Sequence, residues 1–304
     1  MAFKMKECVD GVWMRGRCRA GCMAAAKRKA KIMVKFNAVK ISARVMALAA
    51  GVAFAQHAYS GGKDCGLKLD KPVRVLYLGD SLTDYDRGSY HVDQVQAKIE
   101  KIAPRMVSFY NYSVRGDYIT RVLDRFARVK GTYGMDRFDG IWGREYDWAF
   151  IFLGHNDTHA SSKTNFEQTL VPPENVAPGY EKLISLLRSK GIKRIIIVSP
   201  SSSNFELTSA KAEKTIAAIK AGKGGKRKHA VRFGEPKHME RFRETVKKFA
   251  AENGCEFFDI YDDMKALPNK AELLRPTDGV HLTQKGHEFI AEKTFDYLLK
   301  TPVK

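Results

Sequence analysis

Tyr77-Leu78-Gly79-Asp80-Ser81-Leu82-Thr83 is the stretch that decides the fold. It closes an apolar run that starts at Val73, interrupted only by Arg74. An apolar run of this length, bounded by turn residues, predicts a strand buried on both faces, as in a parallel sheet covered by helices. Glycine, an acid and a serine then stop the strand. In an open α/β sheet the carboxyl ends of the strands form the edge where ligands bind. The turn therefore delivers a serine hydroxyl to that edge.

Three further blocks follow in order: Asn111-Tyr112-Ser113-Val114-Arg115-Gly116-Asp117, Gly154-His155-Asn156-Asp157 and Asp278-Gly279-Val280-His281. The first two of these stand at the ends of apolar strand-like runs, Met106 to Tyr112 and Trp148 to Leu153. Taken singly, Gly-Asp-Ser is ordinary turn chemistry and Asn156 a turn former. As an ordered set they resemble the SGNH, or GDSL-type, hydrolase family, over roughly residues 70 to 300. The resemblance implies a three-layer αβα, flavodoxin-like fold with a five-stranded, mostly parallel sheet. It also implies an esterase that needs no cofactor.

Ester hydrolysis requires a nucleophile, a base, a group that orients the base, and donors for the developing oxyanion. Ser81 is the candidate nucleophile and His281 the candidate base. Asp278, three residues before His281, can hold the imidazole in one tautomer. The chain order Ser, Asp, His matches a convergent hydrolase order, although the Gly-x-Ser-x-Gly elbow is absent. By resemblance, the oxyanion donors are the backbone N–H of Ser81, the backbone N–H of Gly116 and the side-chain amide of Asn156. Asp80, Asp117 and Asp157 read as structural carboxylates. Ser113 stands where the family often has glycine, and Arg115 precedes Gly116.

The rest of the domain alternates strands and helices. Tyr90 to Ile102 and Tyr118 to Val129 read as helices. Tyr180, Leu183, Ile184 and Leu187 share a helical face closed by Gly191; Met239, Phe242, Val246 and Phe249 mark another. Ile195 to Val198 and Phe257 to Ile260 read as strands, and the last helix starts near Gln284. Two stretches break the rhythm and read as loop insertions. Residues 131–146 carry Tyr133, Phe138, Trp142 and Tyr146, rings that serve either to stack sugars or to anchor the loop. Residues 201–234 carry the basic run Lys223-Gly224-Gly225-Lys226-Arg227-Lys228, read as a solvated loop rather than as an attractor for anionic glycans.

The net charge of +19 is uneven across the 304 residues. Residues 1–60 hold 12 Lys/Arg against 2 Asp/Glu, and residues 211–237 hold nine against two. A tail and one segment do not make a nucleic-acid face, and zinc fingers, RNA-recognition signatures and basic-aromatic stripes are absent. No metal-ligand or phosphate-loop motif is present either. Residues 34–44 are basic, 45–55 apolar and the following positions small. Residues 33–60 thus read as a secretory signal peptide, which places the protein in the periplasm or outside the cell. Residues 1–32 read as a start-site artefact or disordered extension, and 61–304 as the hydrolase domain. Export would permit a disulfide between Cys65 and Cys255; two separate thiols is the other reading.

The expected substrate is a small-molecule or glycan ester, with O-acetylated carbohydrate favoured. A cell-envelope acyltransferase, a lysophospholipase or thioesterase with the same site, and a non-catalytic glycan-binding protein are the alternatives.

Overall fold

The computed structural model describes Leu67, residues 69–84 and residues 90–300. The segments expected to be a signal peptide (33–60) and an extension (1–32) lie outside the described residues, as does Cys65; Cys255 carries a free thiol. In chain order the elements are β1 (Val73–Gly79), α1 (His91–Ile102), β2 (Val107–Asn111), α2 (Ile119–Phe126), β3 (Trp148–Phe152), β4 (Ala160–Ser161), α3 (Pro173–Ser189) and β5 (Arg194–Val198). There follow α4 (Phe205–Lys220), β6 (Val231–Arg232), α5 (Pro236–Glu252), β7 (Glu256–Phe258), α6 (Tyr261–Lys265), α7 (Lys270–Leu273) and α8 (Gln284–Lys300).

Five strands form one sheet in the order β2-β1-β3-β5-β7, every neighbouring pair parallel. This is the flavodoxin-type winding, in which the chain runs outward from β1 in one direction and then, from β3, in the other. Alternation along each strand sends side chains to opposite faces. Leu76, Leu78, Ala149, Ile151, Ile195 and Ile197 pack with α2, α3 and α5. Val75, Tyr77, Phe150, Phe152, Ile196 and Val198 pack with α1 and α8. Two cores, one on each side, account for the nearly unbroken apolar strands. Each fully buried aliphatic side chain contributes ~1.5–3 kcal/mol.

The reading of 201–234 as a loop is corrected by the structure. It contains α4, sixteen residues long, capped by the Asn204 side chain accepting from the Leu207 N–H at 3.1 Å. It also contains β6, which pairs antiparallel with β4. α4 buries only Thr208 and Ala212, so its sequence has no apolar stripe to announce it. Residues 131–146 hold two short 3-10 turns, Met135–Phe138 and Ile141–Gly143. There the anchoring reading of the aromatics prevails. Phe126 packs on Phe138 and Trp142, and Tyr146 on Tyr112. Tyr133 alone of the four rings lines the cleft described below.

Candidate active site

β1 ends where it must turn sharply. A Cβ on Gly79 would overlap Thr83 Oγ1 and sit 2.9 Å from Ser113 Oγ, so only glycine fits. The Asp80 carboxylate accepts the Leu82 N–H at 2.9 Å and thereby holds the turn that carries Ser81. Because β1 lies between β2 and β3, the blocks that follow those strands flank Ser81 on either side. Gly116 adopts φ 75°, a left-handed conformation that glycine takes without strain.

His281 reaches the same point from the loop before α8. Its Nε2 lies 2.9 Å from Ser81 Oγ, and its Nδ1 lies 3.1 Å from Asp278 Oδ2. The other Asp278 oxygen accepts the backbone N–H groups of Val280 and His281, at 2.9 and 2.8 Å. Burial works to raise the Asp278 pKa, but those two N–H groups and the imidazole hold the carboxyl below the usual range. An ionised carboxylate only accepts, so the proton of His281 sits on Nδ1 and Nε2 is the acceptor for the Ser81 hydroxyl. Hydroxyl, imidazole and carboxylate thus form one directed chain.

Gly116 and Asn156 line the same cleft as Ser81, Asp278 and His281. Among the described residues, the backbone N–H groups of Ser81 and Gly116 have no hydrogen-bond partner. The Asn156 amide is differently placed. It donates to Asp80 Oδ2 at 3.1 Å and to the Asp117 carbonyl at 2.9 Å, so both of its hydrogens already tie the three strand ends together.

The three further carboxylates support this frame. Asp117 forms a two-point pair with Arg125, at 2.6 and 2.7 Å, and both side chains are fully buried. Arg125 also donates to the Tyr133 carbonyl at 2.8 Å, which clamps the 131–146 excursion onto α2. Asp157 accepts the Ile119 N–H at 3.0 Å, and its second oxygen has no partner. Burial pushes both Asp80 and Asp157 up to about 7. His155, buried between Ser201 and Ser203, is pushed down to about 3 by burial and by nearby His281, so it stays neutral.

Above these groups opens a cleft of about 1090 Å³. Its walls include residues that the sequence reading did not single out: Arg121 on α2, Lys163 after β4, and Lys211 and Thr215 on α4. They come from separate segments with no shared motif, and only the fold gathers them. Thr208, Lys211 and Thr215 stand at helical spacing along the α4 face that meets the cleft. α4 is tied to the His281 loop twice: Asn204 N–H donates to the Gly279 carbonyl at 2.8 Å, and Lys211 Nζ to the Thr277 carbonyl at 3.2 Å. Among the described residues, no group of three or more His, Cys, Asp or Glu is placed to hold a metal ion. No described helix is long and apolar enough to cross a membrane.

The fold and the site geometry agree with sequence comparison: residues 77–289 match the GDSL-like lipase/acylhydrolase family model, and the chain belongs to that family. The protein is accordingly a carboxylic ester hydrolase. Solved structures with the same fold include an acetylxylan esterase from Geobacillus stearothermophilus, with TM-score 0.52 and 16% identity over 77% of this chain and 97% of that one. Another is a GDSL-like lipase from Parabacteroides merdae, with TM-score 0.53 and 18% identity over 76% of this chain and 99% of that one. A lipase/acylhydrolase from Enterococcus faecalis is similar at TM-score 0.50 and 18% identity, over 76% and 99%. No curated protein matches the chain by sequence.

Proposed function

We propose that the protein removes a short acyl group, acetyl in the favoured case, from an O-acylated carbohydrate, with Ser81 as nucleophile, His281 as base and Asp278 as the carboxylate that orients it. The observation that carries this reading is the continuous contact from Ser81 Oγ through His281 to Asp278, at 2.9 and 3.1 Å, on the floor of an open cleft. Ser81 Oγ attacks the ester carbonyl while its proton passes to His281 Nε2. The resulting oxyanion faces the partnerless N–H groups of Ser81 and Gly116. Asn156 is the third donor of this reading, and it joins them by turning its amide away from Asp80 or from the Asp117 carbonyl. Collapse of the intermediate releases the sugar alcohol, which takes the proton back from the imidazolium. Water activated by the same base then frees the acid.

The carbohydrate part of the reading is supported by the acetylxylan esterase among the structural neighbours. It is also supported by a cleft much larger than a short acyl chain requires. The basic, apolar, small-residue order of 33–60 supports export, where such glycans are met.

The test is hydrolysis of p-nitrophenyl acetate, butyrate and octanoate by the protein and by Ser81→Ala. Cleavage of the acetate, weak action on the longer chains and an inactive variant are expected. Preference for octanoate would remove the carbohydrate reading, and equal rates for the two proteins would remove Ser81 from its role.

A further inference from the structure

The cleft over Ser81 is lopsided in charge. Arg121, Lys163, Lys211, Lys226, Arg227 and Lys228 all line it, whereas among the described residues its lining contains one carboxylate, Asp278, already committed to His281. Among the described residues none of these six cations is in an ion pair. Acids are present nearby but serve other cations. Glu235 pairs with Arg232 and Lys237, and Glu167 with Lys237.

A solvated face would spread such charges over a convex surface. Here they converge on a concavity from α2, from the turn after β4, from α4 and from the segment between α4 and β6. The pairing of Ala160 with Arg232 and of Ser161 with Val231 pins that last segment in place. A second pair of bonds does the same: Ser162 N–H donates to the Ala230 carbonyl at 2.9 Å, and Ala230 N–H to Ser162 Oγ at 3.0 Å. The basic run is therefore part of the cleft wall and not a free loop. Clefts lined by one sign of charge focus the field and concentrate ions of the opposite sign. His229 adds a further polar contact, since it lines the cleft with a buried Nδ1 that has no partner among the described residues.

The acyl group of an ester uses none of these charges, so they face the alcohol side of the substrate. The apolar lining, Leu82, Ala230, Val231, Phe233 and Val280 among it, shares the cleft with these cations. Resting on the esterase reading above, we infer that the alcohol part of the substrate is an acidic saccharide, an oligosaccharide bearing carboxylate or sulfate groups alongside the ester.

The test separates charge recognition from chemistry. Binding to the Ser81→Ala protein is measured by calorimetry for an oligogalacturonate, a sulfated oligosaccharide and a neutral xylo-oligosaccharide of matched length. Each titration is run at about 25 mM and about 300 mM salt. At least one acidic ligand is expected to bind about tenfold or more tighter than the neutral one at low salt, with most of that margin lost at high salt. Which acidic ligand binds distinguishes carboxylate from sulfate. Replacing Lys226, Arg227 and Lys228 together by Gln should reduce the acidic-to-neutral affinity ratio by about fivefold or more. Equal, salt-insensitive binding of all three, or tighter binding of single-stranded DNA than of any of them, overturns the proposal. In parallel, wild-type hydrolysis of p-nitrophenyl acetate reports on the esterase reading alone, so failure of the two ideas is told apart.

Discussion

The loop that carries His281 and the wall that faces it treat charge in opposite ways. Around Ser81 each charged group is answered: Asp278 by His281 and two N–H groups, Asp80 by Leu82 and Asn156, Asp117 by Arg125. Along the wall of α4 and the segment after it, the cations have no carboxylate partner among the described residues. The first region is organised before a ligand arrives, so apart from the turn of the Asn156 amide its geometry needs little assembly at the moment of reaction. The second is left incomplete, and its counter-charge comes from outside. On the function proposed above, the chemistry belongs to the first region and the choice of substrate to the second.

Removing Ser81 should break the first region most severely. Ser81→Ala is expected to lower turnover of p-nitrophenyl acetate by about 10⁶-fold, as loss of a nucleophile does when the remaining groups act only as a unit with it. Retained melting temperature is expected alongside, and a loss of only tenfold would contradict the assignment.

The Arg125–Asp117 pair tests how far the answered charges hold the frame. Arg125→Ala leaves a buried, uncompensated carboxylate and should cost about 3–5 kcal/mol in a denaturant titration. A change below about 1 kcal/mol would mean that the pair does not clamp the excursion.

Asn156→Ala should reduce kcat by about 10²–10³ as an oxyanion donor is lost. Because the same amide ties Asp80 to Asp117, a smaller loss of stability is expected with it. Loss of stability with full kcat would make Asn156 a frame residue alone.

Asp157 supplies a pH signature. Its folded pKa is pushed up from 3.8 to about 7 by burial, so its protonated form is favoured in the folded state. The stability this contributes is full below 3.8 and is lost as pH rises towards about 7. Asp157→Asn removes that loss. The stability gap between variant and wild type should therefore shift in the variant's favour across this window, by on the order of a few kcal/mol. Parallel stability curves would exclude a titrating Asp157.

The smallest effect belongs to the wall. Lys226→Ala, Arg227→Ala and Lys228→Ala should each change stability by within about 0.5 kcal/mol, since these exposed side chains support no packing. A larger loss in thermal unfolding would show that the wall belongs to the fold itself.

The same contrast explains what the sequence could reveal. The strands are legible because burial on both faces leaves apolar runs, and α3 and α5 because Tyr180, Leu183 and Leu187, or Met239, Phe242 and Val246, recur at helical spacing. Ser81, Gly116 and Asn156 are legible because strand ends force them into short local blocks, and Asp278 and His281 because they stand three residues apart on the loop before α8. α4 is not, because its buried side chains are a threonine and an alanine. β4 and β6 are two residues each and leave no periodicity to detect. Arg125 is hidden in another way: its position fits the buried side of α2, yet only the structure shows that an arginine there meets Asp117. Arg121, Lys163, Lys211 and the run Lys226-Arg227-Lys228 lie far apart in the chain, so their convergence is a property of topology.

The two ties between α4 and the His281 loop, Asn204 to Gly279 and Lys211 to Thr277, carry a kinetic consequence. A ligand gripped by the wall loads the very segment that aims the imidazole, so attraction remote from the scissile bond is converted into alignment of the base. Discrimination between a good and a poor substrate of the proposed class then appears in kcat as well as in KM, because binding energy spent on alignment is realised only as the reaction proceeds.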